Sequence, residues 1–136
     1  MDTSKTTSQT GPVRVESLMR PSPAATTPTE ILAVARAVME REHVHQLPVI
    51  ENGQLVGILA ERDLHAHTGY LDRTKVDAAM TWNPITIAPG TTAQAAAQLL
   101  IDKQINAVPV VDNGHMVGIV SRTDLLQLLV RLLEPS

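Results

Sequence analysis

The chain has 136 residues, 43% of them hydrophobic and 18% charged, and its 11 Lys and Arg against 14 Asp and Glu give a net charge of −3. That length sets one compact unit rather than a multidomain enzyme, and that composition excludes wholesale disorder. The absence of cysteine excludes disulfides, thiolate metal sites and cysteine nucleophiles, and the net negative charge offers no field for a nucleic-acid backbone.

Residues 1–12, rich in Thr and Ser, read as an unordered tail without the apolar stretch of a signal peptide. Apolar stretches further along are too short to span a bilayer, so the expected location is the cytoplasm. A short helical turn, Val15 to Met19, leads through a proline-marked bend to a short strand at Ala25-Thr26-Thr27. Thr27 and Glu30, with Pro28 between them, fit a capping box with proline at the first helical position. The helix they open carries Ile31, Val34, Ala35 and Val38 at helical spacing. Strands Leu47 to Ile50 and Leu55 to Leu59 follow, joined by Asn52-Gly53, a dipeptide suited to a tight turn in which both central residues need φ > 0. A closing helix begins near Arg62, and residues 68–75, containing Gly69, form a linker.

From Val76 the same series returns. At a constant offset of 61 residues Val15 to Leu64 aligns on Val76 to Leu125 without a gap, sharing Met19/Met80, Pro23/Pro84, Pro48/Pro109, Asn52/Asn113, Gly57/Gly118 and Asp63/Asp124 among others. The second copy therefore has its turn at Val76 to Met80 and a strand at Ile85-Thr86-Ile87. An alanine-rich helix bearing Ala95, Ala96 and Leu99 comes next, then strands Val108 to Val111 and Met116 to Val120, and a closing helix from Thr123. Units of this size cannot bury both faces of their own sheets, so residues 13–67 and 76–133 are expected to pack on each other as a pseudosymmetric α/β (α+β) pair.

The series Pro-Val-hydrophobic-acid-Asn-Gly, then Val-Gly-Ile-hydrophobic-x-x-x-Asp-Leu, preceded by Met-x-x-x-Pro and an alanine-rich helix, resembles the cystathionine-beta-synthase (CBS) domain, here as a tandem pair or Bateman module. The resemblance implies two β-α-β-β-α units packed through their sheets, with clefts that often hold adenosine-containing ligands: AMP, ADP, ATP or S-adenosylmethionine. It also points to a homodimer, and the expected role is a sensor whose ligand modulates an unknown protein target. The rival expectation is a ligand-free dimerisation or interaction scaffold.

In the second copy Gly118, Ser121 and Asp124 match the family's nucleotide signature Gly-h-h-Ser/Thr-x-x-Asp. Ser121 offers a hydroxyl to phosphate, Arg122 adds charge, and the Asp124 carboxylate accepts from ribose hydroxyls at a helix start that favours anions. The same resemblance sets the adenine against Trp82, Asn83 and Ile85 on one side and Val108 and Pro109 on the other. The first copy keeps Gly57 and Asp63 but has Ala60 in place of the hydroxyl, with Arg20, Arg62 and His45 as compensating contacts. A competing reading makes each Asp a helix cap.

Four of the five histidines occur as His43-x-His45 and His65-x-His67. An i, i+2 spacing splays side chains apart on a helix, so these read as solvated surface, and no metal or cofactor is expected. No nucleophile elbow, Walker loop or acid pair is present, which leaves no constellation for an enzyme. The run Leu125 to Leu133 is apolar nearly all round: Leu125, Leu128, Leu129 and Leu132 make one stripe and Leu126, Val130 and Leu133 another. One stripe suffices for a monomer, so the second predicts a homodimer.

Overall fold

A computed structural model describes residues 11–21 and 23–135; most of the expected tail, residues 1–10, lies outside them. Two sheets are formed. One has the order β2(Gln46–Glu51), β3(Gln54–Ala60), β4(Thr81–Trp82), and the other β1(Arg20–Pro21), β6(His115–Ser121), β5(Ala107–Asp112), all neighbours being antiparallel. Three α-helices accompany them: α1(Leu32–Glu42), α2(Ala93–Lys103) and α3(Arg122–Leu132). The sheets meet where β3 lies against β6.

The hairpins are as the sequence predicts. Asn52 (φ 52°) and Gly53 (φ 78°) turn β2 into β3, and Asn113 (φ 52°) and Gly114 (φ 82°) turn β5 into β6. Helices α1 and α2 bury Leu32, Ala35 and Met39, and Ala93, Ala96 and Leu100, on the face toward their sheets. They end alike, on the left-handed residues His43 and Gln104.

The leading segments cross over. Strand β1, from the first repeat, pairs with β6 of the second, while β4, from the second repeat, pairs with β3 of the first. The 3-10 turns before them go the same way: Val15 N–H donates to Thr91 O at 2.8 Å and Val76 N–H to Glu30 O at 2.8 Å. Each core is completed by the other repeat. Val76 and Met80 pack with Leu32, Leu47, Val49 and Leu59, whereas Val15 and Met19 pack with Ala96, Val108, Val110 and Val120. The sequence repeats and the packed units are thus different sets of residues.

Three local expectations are corrected. The strands at Ala25-Thr26-Thr27 and Ile85-Thr86-Ile87 reduce to single parallel bridges, Thr26 to Val49 and Ile87 to Val110, because prolines at 23, 28, 84 and 89 remove ladder donors on either side. Thr27 does not cap α1. Its N-cap is Ile31 without a side-chain cap, and the linker supplies acceptors instead: Leu32 N–H bonds Thr74 O (2.8 Å) and Ala33 N–H bonds Leu71 O (2.9 Å). The first closing helix is a seven-residue 3-10 segment, Glu61–His67, whereas its counterpart α3 is α-helical over 11 residues.

Candidate functional site

Two clefts open along the seam between the units. The larger, about 530 Å³, is lined by Arg20, Pro23, Ala24, Pro48, Ser121 and Asp124, and also by His43, Arg122 and Thr123. The smaller, about 250 Å³, has Ile58, Ala60, Arg62, Asp63, Ile85 and Pro109. His45, Gln46, Asn106 and Ala107 line both. These four are two pairs at the 61-residue offset, so the pseudo-twofold axis runs between the clefts through a shared floor.

The large cleft rests on the junction of β6 with α3. Ser121 is the N-cap of α3; its Oγ accepts the Asp124 N–H (3.2 Å), and Asp124 Oδ2 accepts the Ser121 N–H (2.8 Å) and lies 3.0 Å from Ser121 Oγ, which donates to it. The capping reading of Asp124 is therefore correct for Oδ2. Its Oδ1 has no protein partner among the described residues and is free to accept from a ligand. The Arg122 N–H is taken by Asn106 O at 2.8 Å. Arg20 reaches this cleft because β1 is laid along β6, with Arg20 opposite Ile119.

The small cleft repeats the plan with less polar chemistry. Asp63 Oδ2 accepts the Ala60 N–H at 2.7 Å, but Ala60 has no hydroxyl to answer the Asp63 N–H, and the reciprocal half of the box is missing. Glu61 stands where Arg122 stands in the other copy. It is turned to His45, with Oε2 3.5 Å from Nδ1. Its backbone repeats the symmetry, donating to His45 O at 2.8 Å.

The expected site residues are regrouped by the crossover. Ser121, Arg122 and Asp124 share a cleft with Arg20 and His45, not with Asn83, Ile85 and Pro109, which line the cleft of Asp63 and Arg62. Four expected contacts line neither cleft. Val108 is fully buried in the core. Gly57 and Gly118 lie beneath the crossing methionines, where an added Cβ would meet Met80 Sδ or Met19 Sδ at 2.6 Å. Their small size serves the crossover. Trp82 stands on the exposed face of β4 and donates from Nε1 to Asp77 O at 3.3 Å.

Sequence reasoning missed Ala24, Gln46, Asn106, Ala107 and Thr123, and with them Pro48, Ile58 and Ile119. The first four are counterparts, at the same offset, of Ile85, Ala107, His45 and Gln46, so symmetry applied to the singled-out Ile85 and His45 would have found Ala24 and Asn106. Among the described residues no group of His, Asp and Glu is arranged to hold a metal ion, and no helix is long and apolar enough to cross a membrane.

The chain matches the CBS domain over residues 15–67 and again over 76–131. It is 35% identical to a CBS domain-containing protein of Dictyostelium discoideum over 76% of this chain and 82% of that one. CBS domain-containing protein YhcV of Bacillus subtilis is 32% identical, over 82% and 81% of the two chains. Among solved structures, that of CBSX2 in complex with AMP superposes with a TM-score of 0.82 at 26% identity, covering 90% of this chain and 99% of that one.

Proposed function

The chain belongs to the CBS domain family as a tandem pair, and from that premise we propose that it is a non-catalytic regulatory sensor whose larger cleft binds a phosphorylated adenosine ligand. The observation that carries this reading is the convergence of Arg20, Ser121, Arg122 and Asp124 on one cleft. Two guanidinium groups and a hydroxyl suit phosphate oxygens, and the free Oδ1 of Asp124 suits a ribose hydroxyl. Pro48, Ala24 and Ile119 supply aliphatic walls for a base in a cleft that no Phe, Tyr or Trp lines among the described residues. Ligand entry turns the Ser121 hydroxyl from Asp124 Oδ2 to the phosphate while the Ser121 N–H keeps the cap. The structural relative bound to AMP supports the choice of ligand.

Regulation follows from the position of the cleft between units. A ligand touching both shifts their arrangement only by the difference in its affinity for two arrangements, and a protein target reads the result in the cytoplasm, where adenine nucleotides are at hand. The protein acts as a homodimer through α3. Leu126, Leu129, Val130 and Leu132 are 48–66% exposed there, so the covered stripe is limited to Leu125 and Leu128 and the outward apolar face is wider than the sequence pattern indicates.

The scaffold reading has one observation in its favour: Ser121 Oγ and Asp124 Oδ2 already satisfy each other. Calorimetric titration with AMP, ATP and S-adenosylmethionine separates the two. Binding of AMP or ATP that is lost in Asp124→Ala supports the sensor, and absence of heat from all three ligands supports the scaffold.

A further inference from the structure

The permanently charged residues that line the larger cleft cancel. Among the described residues they are Arg20 on β1, Glu42 at the end of α1, and Arg122 and Asp124 on α3, two cations against two carboxylates. The other titratable groups in the lining are His43 and His45. With both imidazoles neutral the lining has no net charge, and with both protonated it has two positive charges. We infer that these two histidines make the larger cleft a proton-gated anion site, which takes a phosphate-bearing ligand more tightly as the pH falls through the histidine range. The inference deepens the proposed function and rests on it.

The second repeat shows what the histidines add. At the 61-residue offset His43 corresponds to Gln104 and His45 to Asn106, so both positions carry a neutral amide there. His43 and Gln104 are the left-handed residues that end α1 and α2, with φ of 57° and 55°, so the backbone does not require histidine. The C-terminal end of a helix favours a cation at His43. His45 stands on the floor common to both clefts, and the smaller lining is balanced as well, Arg62 against Asp63. Glu61, outside both linings, has Oε2 3.5 Å from His45 Nδ1. A protonated imidazole donates from both nitrogens, so that contact leaves Nε2 as a donor for a ligand oxygen. An anion that binds the protonated form better must, by linkage, take up protons as it binds. Affinity is therefore gained below the histidine range and lost as the pH rises through it.

AMP is the probe, titrated calorimetrically into the full chain at about pH 8 and about pH 5.5, in buffers of different ionisation enthalpy. AMP gains a proton of its own near about pH 6, so each value is read against the variant His43→Gln with His45→Asn, which installs the second repeat's amides. On going to the lower pH the wild type should gain roughly fivefold per histidine relative to that variant, the worth of one partly exposed ion pair each, and should take up protons that the variant does not. Glu42→Gln keeps both histidines and removes a carboxylate from the lining, and it should raise AMP affinity at about pH 8 by a similar factor. A wild type whose pH dependence and proton uptake match those of the histidine variant, or a Glu42→Gln protein with unchanged affinity, overturns the inference while leaving the nucleotide reading of the larger cleft intact. AMP that binds the wild type at neither pH overturns both.

Discussion

The two clefts are made from corresponding positions of one repeated unit, which has the same scaffold in both but two arginines and a serine hydroxyl in only one. Pro48 and Pro109, Ile58 and Ile119, Asp63 and Asp124, and the floor pairs His45/Asn106 and Gln46/Ala107 recur on both sides of the axis. Arg20, Ser121 and Arg122 do not recur; Thr81, Ala60 and Glu61 stand in their places. The closing segments diverge at the same point. Ser121 completes a capping box and an 11-residue α-helix follows, whereas Ala60 completes half of one and a seven-residue 3-10 segment follows. One hydroxyl thus has two places at once: it caps a helix and lines the larger cleft. A duplicated fold constrains the residues that pack, and leaves those at the cleft free to differ.

The two clefts should differ most in nucleotide binding. Asp124→Ala should weaken AMP roughly tenfold to 150-fold, the worth of hydrogen bonds to a charged acceptor, and Asp63→Ala should leave AMP unchanged, both read by calorimetry on folded protein. Next comes the crossover that brings the two halves of each cleft together. Gly118→Ala places Cβ 2.6 Å from Met19 Sδ and 3.0 Å from Arg20 O, and Gly57→Ala places it 2.6 Å from Met80 Sδ and 2.8 Å from Thr81 O. Each should cost about 1–3 kcal/mol in urea unfolding, Gly57→Ala the more because its backbone contact is the closer.

The difference between the closing helices is sharpened by assembly. Light scattering of the wild type should report twice the chain mass, and Leu126→Glu with Val130→Glu should give a folded monomer, since both positions are exposed on α3 and their counterparts are His65, in the first closing segment, and Gly69, in the linker after it. The smallest effect concerns the caps. Ser121→Ala should lower stability by about 1 kcal/mol through loss of the N-cap, and Ala60→Ser should raise it by a comparable or smaller amount, measured by thermal or urea unfolding.

The fold was largely legible because its signals are local and doubled. Asn52-Gly53 and Asn113-Gly114 specify their hairpins, and the fixed offset identifies two units without reference to either. What escaped was non-local. Nothing in the pattern of Val15 or Met19 says that they complete the core beneath Val120 rather than that of their own repeat. That one omission misassigned Arg20 to the Asp63 side and Asn83, Ile85 and Pro109 to the Ser121 side, although the residue types themselves were well chosen. Gly57 and Gly118 were read as ligand contacts for the same reason, since the methionines that require their small size arrive from the other repeat. The missing cap of α1 is a further instance: Thr27 and Glu30 have the right spacing, but the linker carbonyls of Leu71 and Thr74 already satisfy the first donors of the helix.

Whether one cleft holds phosphate and its symmetry mate does not is read from the position of AMP in crystals grown with an excess of the nucleotide. Its phosphate should lie between Arg20, Ser121 and Arg122, its ribose on Asp124 and its base between Ala24 and Pro48. AMP seated instead on Asp63, between Ile85 and Pro109, would contradict it.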